Sequence, residues 1–292
     1  MKPGTVVLIT GAARGIGAAT ARVLAARGAT LSLVGLEPDL LSSLAAELGP
    51  QHTWHLADVR DSAALDAAVA ATVQASGGID VVLANAGVVN YGTVRVGDPE
   101  EFARTVDINL TGVYRTVHAA LPHVIERKGY VLVVASAASF PALPGLAAYA
   151  ASKAGVESLT NALRLEVAHF GVGVGCAHPS WIDTDLVRNA ERDLPSFRRM
   201  RAKLPWPVNS TTTVETCAGE MADAIDRRAT RLFIPRGVAV LRWLRSTPLL
   251  DASTKRLAPT VTPQLEAEVT AMLANPSAAT TSAPAADSVA RS

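Results

Sequence analysis

Disulfide scaffolds, cysteine-ligated metals and long charged runs are what this chain lacks. Two cysteines, Cys176 and Cys217, stand in 292 residues, too few for a multi-bridge framework or a four-thiolate zinc site. No metal is expected, and the pair fits a reducing, cytoplasmic setting. Aromatic residues make up only 4% and charged residues 18%, with a formal net charge of +1. That balance lacks the basic footprint of a nucleic-acid binder. The 49% hydrophobic content is equally far from a disordered or solvating composition. Met1–Thr5 places no long apolar stretch ahead of the first apolar run, so no secretory signal is expected. One stretch, Gly129 to Ser152, carries no charge for 24 residues and could cross a bilayer on length alone. Pro141, Pro144 and Gly145 would break a helix there, so a buried strand, a loop and a helix start are expected instead.

What is present is an alternation of short apolar runs with alanine-rich stretches of helical period. Val6–Ile9, Leu31–Val34, His52–Leu56, Val81–Ala84, Tyr130–Ala135, Val172–Ala177 and Arg231–Pro235 read as strands. Helices are expected near Gly15–Arg27, Asp39–Leu48, Ser62–Ser76, Pro99–Lys128 and Tyr149–Phe170. Continuously apolar strands separated by helices indicate an α/β fold, a doubly wound, Rossmann-like parallel sheet of about seven strands with helices on both faces. Such a sheet binds ligands at the carboxyl ends of its strands. Residues 1–274 are expected to form a single domain. Within it, 184–207 is basic and proline-punctuated and reads as a substrate lid, and 236–274 is a C-terminal extension with a helix near Pro263–Leu273. The last residues, 275–292, are mostly Ala, Ser, Thr and Pro and read as a disordered tail.

Thr10-Gly11-Ala12-Ala13-Arg14-Gly15-Ile16-Gly17 follows the first strand directly. Glycines at a strand-to-helix turn let backbone N–H groups approach a pyrophosphate at the positive end of the helix dipole. The plainer alternative, an ordinary tight turn, loses weight because of where the cluster stands. Tyr149 and Lys153 are four residues apart and share one helical face. Four tyrosines and five lysines would give roughly 0.07 such pairs by chance. Ser136 lies thirteen residues before Tyr149, at the carboxyl end of the Tyr130–Ala135 strand. A ketone reduction needs a proton delivered to oxygen and its reversal needs a base. A phenol acidified by a neighbouring ammonium, with a serine hydroxyl sharing the oxygen's charge, supplies both.

The Gly-X-X-X-Gly-X-Gly spacing led by Thr10 resembles the short-chain dehydrogenase/reductase family. So do Asp58-Val59 after the third strand, Asn85-Ala86-Gly87 after the fourth, and the set Asn109, Ser136, Tyr149 and Lys153. The resemblance runs from about Thr5 to Pro235. It implies a catalytic tetrad of those four residues, in which Lys153 also grips the nicotinamide ribose and Asn109 holds a water that relays protons to Lys153. It further implies that the Asp58 carboxylate accepts from the adenine amino group. Residues expected at the cofactor are Gly11, Arg14, Gly15, Ile16 and Gly17, then Leu36, Asp58, Val59, Asn85, Ala86 and Gly87. Tyr149, Lys153, Pro179, Ile182 and Thr184 complete the set. Ser180 stands where the family has a glycine, which puts the nicotinamide contact at that position in question.

At the end of the second strand the family's ribose-reading position is filled by Gly35 and Leu36, followed by Glu37. Gly35 leaves room for a 2′-phosphate and Arg14 could supply charge, whereas Glu37 would repel it, so NADP(H) is favoured slightly over NAD(H). Phe140, Trp181, Leu186 and Phe197 are candidate lining residues for an apolar substrate pocket, and any of them could be plain core. The arginines after Thr184 suit either an anionic substrate such as an acyl thioester or a solvated loop. The tryptophan- and arginine-bearing stretch 236–256 suits dimer contact or pocket capping better than a membrane surface. The expected protein is an NAD(P)-dependent alcohol dehydrogenase or ketoreductase, and the resemblance implies a homodimer or homotetramer. The alternatives are a sugar-nucleotide epimerase of the wider family and a non-enzymatic dinucleotide-binding regulatory protein.

Overall fold

The computed structural model describes residues 1–274 apart from Ala142, Pro205, Pro207 and Ser246. The expected tail at 275–292 lies outside the described residues. Five strands open the chain in alternation with helices: β1 (Val6–Thr10), α1 (Gly15–Ala26), β2 (Thr30–Gly35), α2 (Pro38–Leu48), β3 (Thr53–Leu56), α3 (Ser62–Ser76), β4 (Val81–Ala84), α4 (Pro99–Val106), α5 (Gly112–Glu126) and β5 (Tyr130–Val134). A single π turn, Asp107–Thr111, joins α4 to α5. The second half runs α6 (Ala147–Glu166), β6 (Gly173–Pro179), β7 (Trp181–Ile182), α7 (Asp185–Asp193), α8 (Pro195–Ala202), β8 (Thr211–Thr212), α9 (Val214–Asp226), β9 (Arg231–Ile234), α10 (Ala239–Leu244) and α11 (Pro248–Ala274).

Seven strands form one parallel sheet in the order β3-β2-β1-β4-β5-β6-β9, and β7 and β8 pair separately. This is the expected doubly wound fold. Side chains alternate faces along each strand. Val7 and Ile9 of β1 enter a core with α1, α2 and α9, whereas Leu8 enters a second core with α3, α5 and α6. The chain winds one way from β1 to β3 and the other way from β4 onward, so the crevice between β1 and β4 opens at their carboxyl ends. The uncharged stretch 129–152 becomes β5, a short 3₁₀ turn at Ala137–Ser139 and the start of α6. Among the described residues no helix is long and apolar enough to cross a membrane.

The structure departs from expectation after β6. The segment 184–207, expected as a lid loop, carries α7 and α8, whose Val187, Ala190, Phe197 and Met200 are buried. Their spacing is helical, but it is thinly drawn between charged residues. Pro195 sits at the start of α8, where a missing N–H costs nothing. Helix α9 was not anticipated; the Thr213 hydroxyl caps it by accepting from Thr216 N at 3.2 Å. Helix α11 begins well before Pro263 and carries Pro259 and Pro263 within it.

Candidate active site

The glycine loop is locked to the end of β4. Asn85 Nδ2 donates to the carbonyls of Thr10 and Gly11, each at 3.1 Å, and Asn85 N donates to Thr10 Oγ1 at 3.2 Å. Gly11 has φ +64° and a Cβ there would stand 2.8 Å from Ala86 Cα, so glycine is required twice over. A Cβ on Gly17 would collide with the Gly11 carbonyl. Gly17 thus shapes the loop through this contact and does not itself line the cavity described next.

A cavity of about 300 Å³ runs from this loop to Tyr149. Every other residue expected at the cofactor lines it: Gly11, Arg14, Gly15, Ile16, Leu36, Asp58, Val59, Asn85, Ala86, Gly87, Tyr149, Lys153, Pro179, Ile182 and Thr184. Arg14 is the N-cap of α1 and makes no side-chain cap bond, so the first N–H groups of that helix stay without a capping side chain at the cavity wall. Unclaimed donors at a positive helix end suit a pyrophosphate. The residues present therefore fit a dinucleotide.

At the far end of the cavity, Arg14 Nη2 pairs with Glu37 Oε1 at 2.6 Å. Asp58 accepts from Arg60 N at 2.9 Å and from its guanidinium at 2.7 and 2.9 Å. Burial pushes the Asp58 carboxyl up, but the Arg60 hydrogen bonds outweigh it and hold the group below its ordinary value. Arg60 and Arg104 both line the cavity and were not singled out in the sequence. Arg60 stands two residues beyond Asp58, and that spacing was the available signal.

At the reacting end, Tyr149, Lys153 and Ser136 come together. Lys153 is buried and its Nζ donates to the Val134 carbonyl at 2.9 Å, 5.8 Å from the centre of the Tyr149 ring. Burial lowers its ammonium to about 8. Burial also drives the Tyr149 phenol above its ordinary value, and a hydrogen bond with Ser136 draws it only partly back. The acidification expected from Lys153 and a bound nicotinamide works against this dehydration of the phenolate. Ser136 Oγ also accepts from Ala138 N at 3.1 Å and donates weakly to the Pro179 carbonyl at 3.4 Å.

Asn109, in the π turn, is fully buried. Its Oδ1 accepts from Val88 N at 2.8 Å, and its Nδ2 donates to the Val88 carbonyl at 2.8 Å and to Ser152 Oγ at 3.1 Å. The side chain thereby ties the segment after β4 to α6.

Trp181, Leu186 and Phe197 pack with Tyr149 in one apolar cluster formed with α8 and α11. Phe140 does not join them. It packs with His178 and Phe233 beneath Val238 and Leu241, so it is core under the C-terminal extension. Tyr91, overlooked in the sequence, packs against the same cluster as Tyr149.

Fold and cavity together define a dinucleotide-dependent α/β oxidoreductase. The family described as short chain dehydrogenase matches residues 5–195, and the chain belongs to it. Oxidoreductase UcpA of Salmonella typhimurium (strain LT2) is 39% identical over 194 residues, 65% of this chain and 73% of that protein. An uncharacterized NAD-dependent oxidoreductase of Mycobacterium tuberculosis is 34% identical over 226 residues, 71% of this chain and 80% of that protein. Among solved structures, 3-ketoacyl-(acyl-carrier-protein) reductase from Brucella melitensis, complexed with NADH, is similar with a TM-score of 0.72 and 29% identity. That match covers 80% of this chain and 97% of that one.

Proposed function

We propose that the protein interconverts a secondary alcohol and a ketone, with a nicotinamide dinucleotide as hydride carrier and Tyr149 as general acid and base. The observation that carries this reading is that Tyr149 lines the inner end of the glycine-loop cavity, with the buried Lys153 Nζ 5.8 Å from the centre of its ring. When bound, the reduced nicotinamide supplies hydride to the carbonyl carbon. The chain attends to the oxygen. A phenol pushed up by burial is protonated at neutral pH, which suits a donor to the oxygen as the new C–H bond forms. Ser136 Oγ, only weakly engaged with the Pro179 carbonyl, is free to turn to the same oxygen and share its developing charge. In the oxidative direction the phenolate takes the alcohol proton, and the Lys153 ammonium favours that phenolate. Asn109 acts by position, because all three of its side-chain bonds go to Val88 and Ser152.

For the dinucleotide, the Arg14–Glu37 pair favours NAD(H) over the NADP(H) expected from sequence. The guanidinium that would meet a 2′-phosphate is taken, and it is taken by a carboxylate that would repel one. Glu37→Ala should raise the affinity for NADPH relative to NADH by about tenfold or more. An unchanged ratio in a fluorescence titration would contradict this assignment.

For the substrate, four of the five lid arginines are paired within the fold. Arg188 pairs with Asp183 and Asp185, Arg192 with Asp193, Arg199 with Glu268 and Arg201 with Glu191. This favours an apolar, uncharged substrate over an acyl thioester. A trans-4-hydroxycyclohexanecarboxylate dehydrogenase of Sinomonas cyclohexanicum, 34% identical over 197 residues, supports the carbocyclic frame, although the compound in its name also bears a carboxylate. A panel of cyclic ketones with NADH, followed at the nicotinamide absorbance band, tests the reading. Binding of NADH with no oxidation by any ketone would overturn it.

A further inference from the structure

The Tyr91 hydroxyl is a polar group near the site that the reaction above does not use. Its segment follows β4, and Gly92 N donates to the Gly145 carbonyl at 3.0 Å while Gly92 bridges to Leu146, the N-cap of α6. Tyr91 is thereby fixed to the backbone three residues before Tyr149, and the two rings pack against one apolar cluster. Phe197 meets the Tyr91 ring edge-on at 5.3 Å and meets Trp181 likewise at 5.4 Å. The Tyr91 phenol is pushed up by burial first and then by the neighbouring Tyr149 and Glu191. The two side chains are partly buried against the same cluster. The ring is held on its faces, but among the described residues the Tyr91 hydroxyl makes no hydrogen bond. The side chain is only partly buried, so the hydroxyl is open to an incoming ligand. The nearest ionic groups do not serve, since Glu191 is paired with Arg201, whose guanidinium also lies over Trp181 at 5.2 Å.

We propose that the Tyr91 hydroxyl is a specificity-determining group that hydrogen-bonds a second, uncharged oxygen on a carbocyclic substrate whose reacting carbon lies at Tyr149. The Tyr91 hydroxyl and the Tyr149 hydroxyl then read two oxygens of one ring, and the cluster of Phe197, Trp181 and Leu186 reads the apolar frame between them. Chemically, the substrate class is a neutral cyclic hydroxyketone or diol. This rests on the carbonyl-reduction reading and adds the second point of recognition to it.

The test compares wild type with Tyr91→Phe on matched ketones: cyclohexanone with 4-hydroxycyclohexanone, and 1-tetralone with 6-hydroxy-1-tetralone. Wild type should favour the oxygenated member of a pair in kcat/KM. Tyr91→Phe should lower that member about tenfold or more and leave the deoxy member within about twofold, because a single neutral hydrogen bond is removed. NADH affinity and melting temperature should stay at wild-type values, which separates lost recognition from a misfolded variant. Turnover by wild type without a preference, or equal loss on both members in the variant, overturns the role of Tyr91 alone. Inertness of wild type toward all four ketones overturns carbonyl reduction and this inference with it.

Discussion

Lys153 carries the sharpest physical consequence of any single residue. Folding takes its ammonium from the ordinary 10.5 to about 8 by burial, so between those values the native chain holds fewer protons than the unfolded one. Its contribution to stability is therefore unfavourable at neutral pH, by on the order of 3 kcal/mol, and improves as pH rises from about 8 to 10.5. In dinucleotide-free protein, Lys153→Met should gain stability relative to wild type at pH 7, and that advantage should shrink as pH is raised through 8 to 10. Urea unfolding across this range measures the difference between the two proteins. A gap that stays constant would mean the ammonium is not dehydrated. At this scale the sequence was readable where chemistry forces a residue type. Tyr149, Lys153 and Ser136 meet as their spacing implied, because a helix face and a strand end leave little freedom. It left the choice open where a residue has an equally good structural use. Gly17 is needed for contact with the Gly11 carbonyl, and Phe140 stacks among aromatic core partners. Tyr91 gave no signal because its partners are set by tertiary packing.

Among the elements, α11 packs closest to Tyr149 from the C-terminal extension. Its Val261, Leu265 and Val269 pack in the cluster that contains Tyr149. Glu266 holds Arg95 and accepts from Thr93 Oγ1 at 2.8 Å, and Glu268 accepts from Ser196 N at 3.1 Å. Gly145 makes this close approach feasible. Its φ is +80°, and a Cβ there would run into Leu265 Cδ2. Gly145→Ala should therefore displace α11, raise KM for ketones about tenfold or more and cost about 1–3 kcal/mol of stability. NADH affinity should be nearly untouched, since neither Gly145 nor Leu265 lines the dinucleotide cavity. Steady-state kinetics and an NADH titration separate the two effects. Helices α7 and α8 escaped the sequence reading because their apolar positions are interleaved with paired charges, and the internal prolines of α11 hid its length. Most of the strands and helices up to β6 stood out because they carry an apolar run or a helical stripe, while β3, Thr-Trp-His-Leu, alternates instead.

For the whole molecule, topology decides where chemistry sits. The reversal of strand order between β1 and β4 opens one crevice. The glycine loop after β1, Asn85 after β4 and Ser136 after β5 all arrive at that edge of the sheet. Strand composition and the order of helices were enough to read this architecture. Substrate choice was not legible, and in 184–207 and 236–274 contacts distant in sequence replace local pattern.

The account stands on the Tyr149 hydroxyl as the group that moves the proton when hydride is transferred. Single-turnover oxidation of bound NADH by a cyclic ketone, compared between wild type and Tyr149→Phe, tests this most directly. The expected result is a loss of about a hundredfold to ten-thousandfold in the transfer rate, with the Kd for NADH within about twofold of wild type. A variant that transfers hydride within tenfold of the wild-type rate would contradict the account.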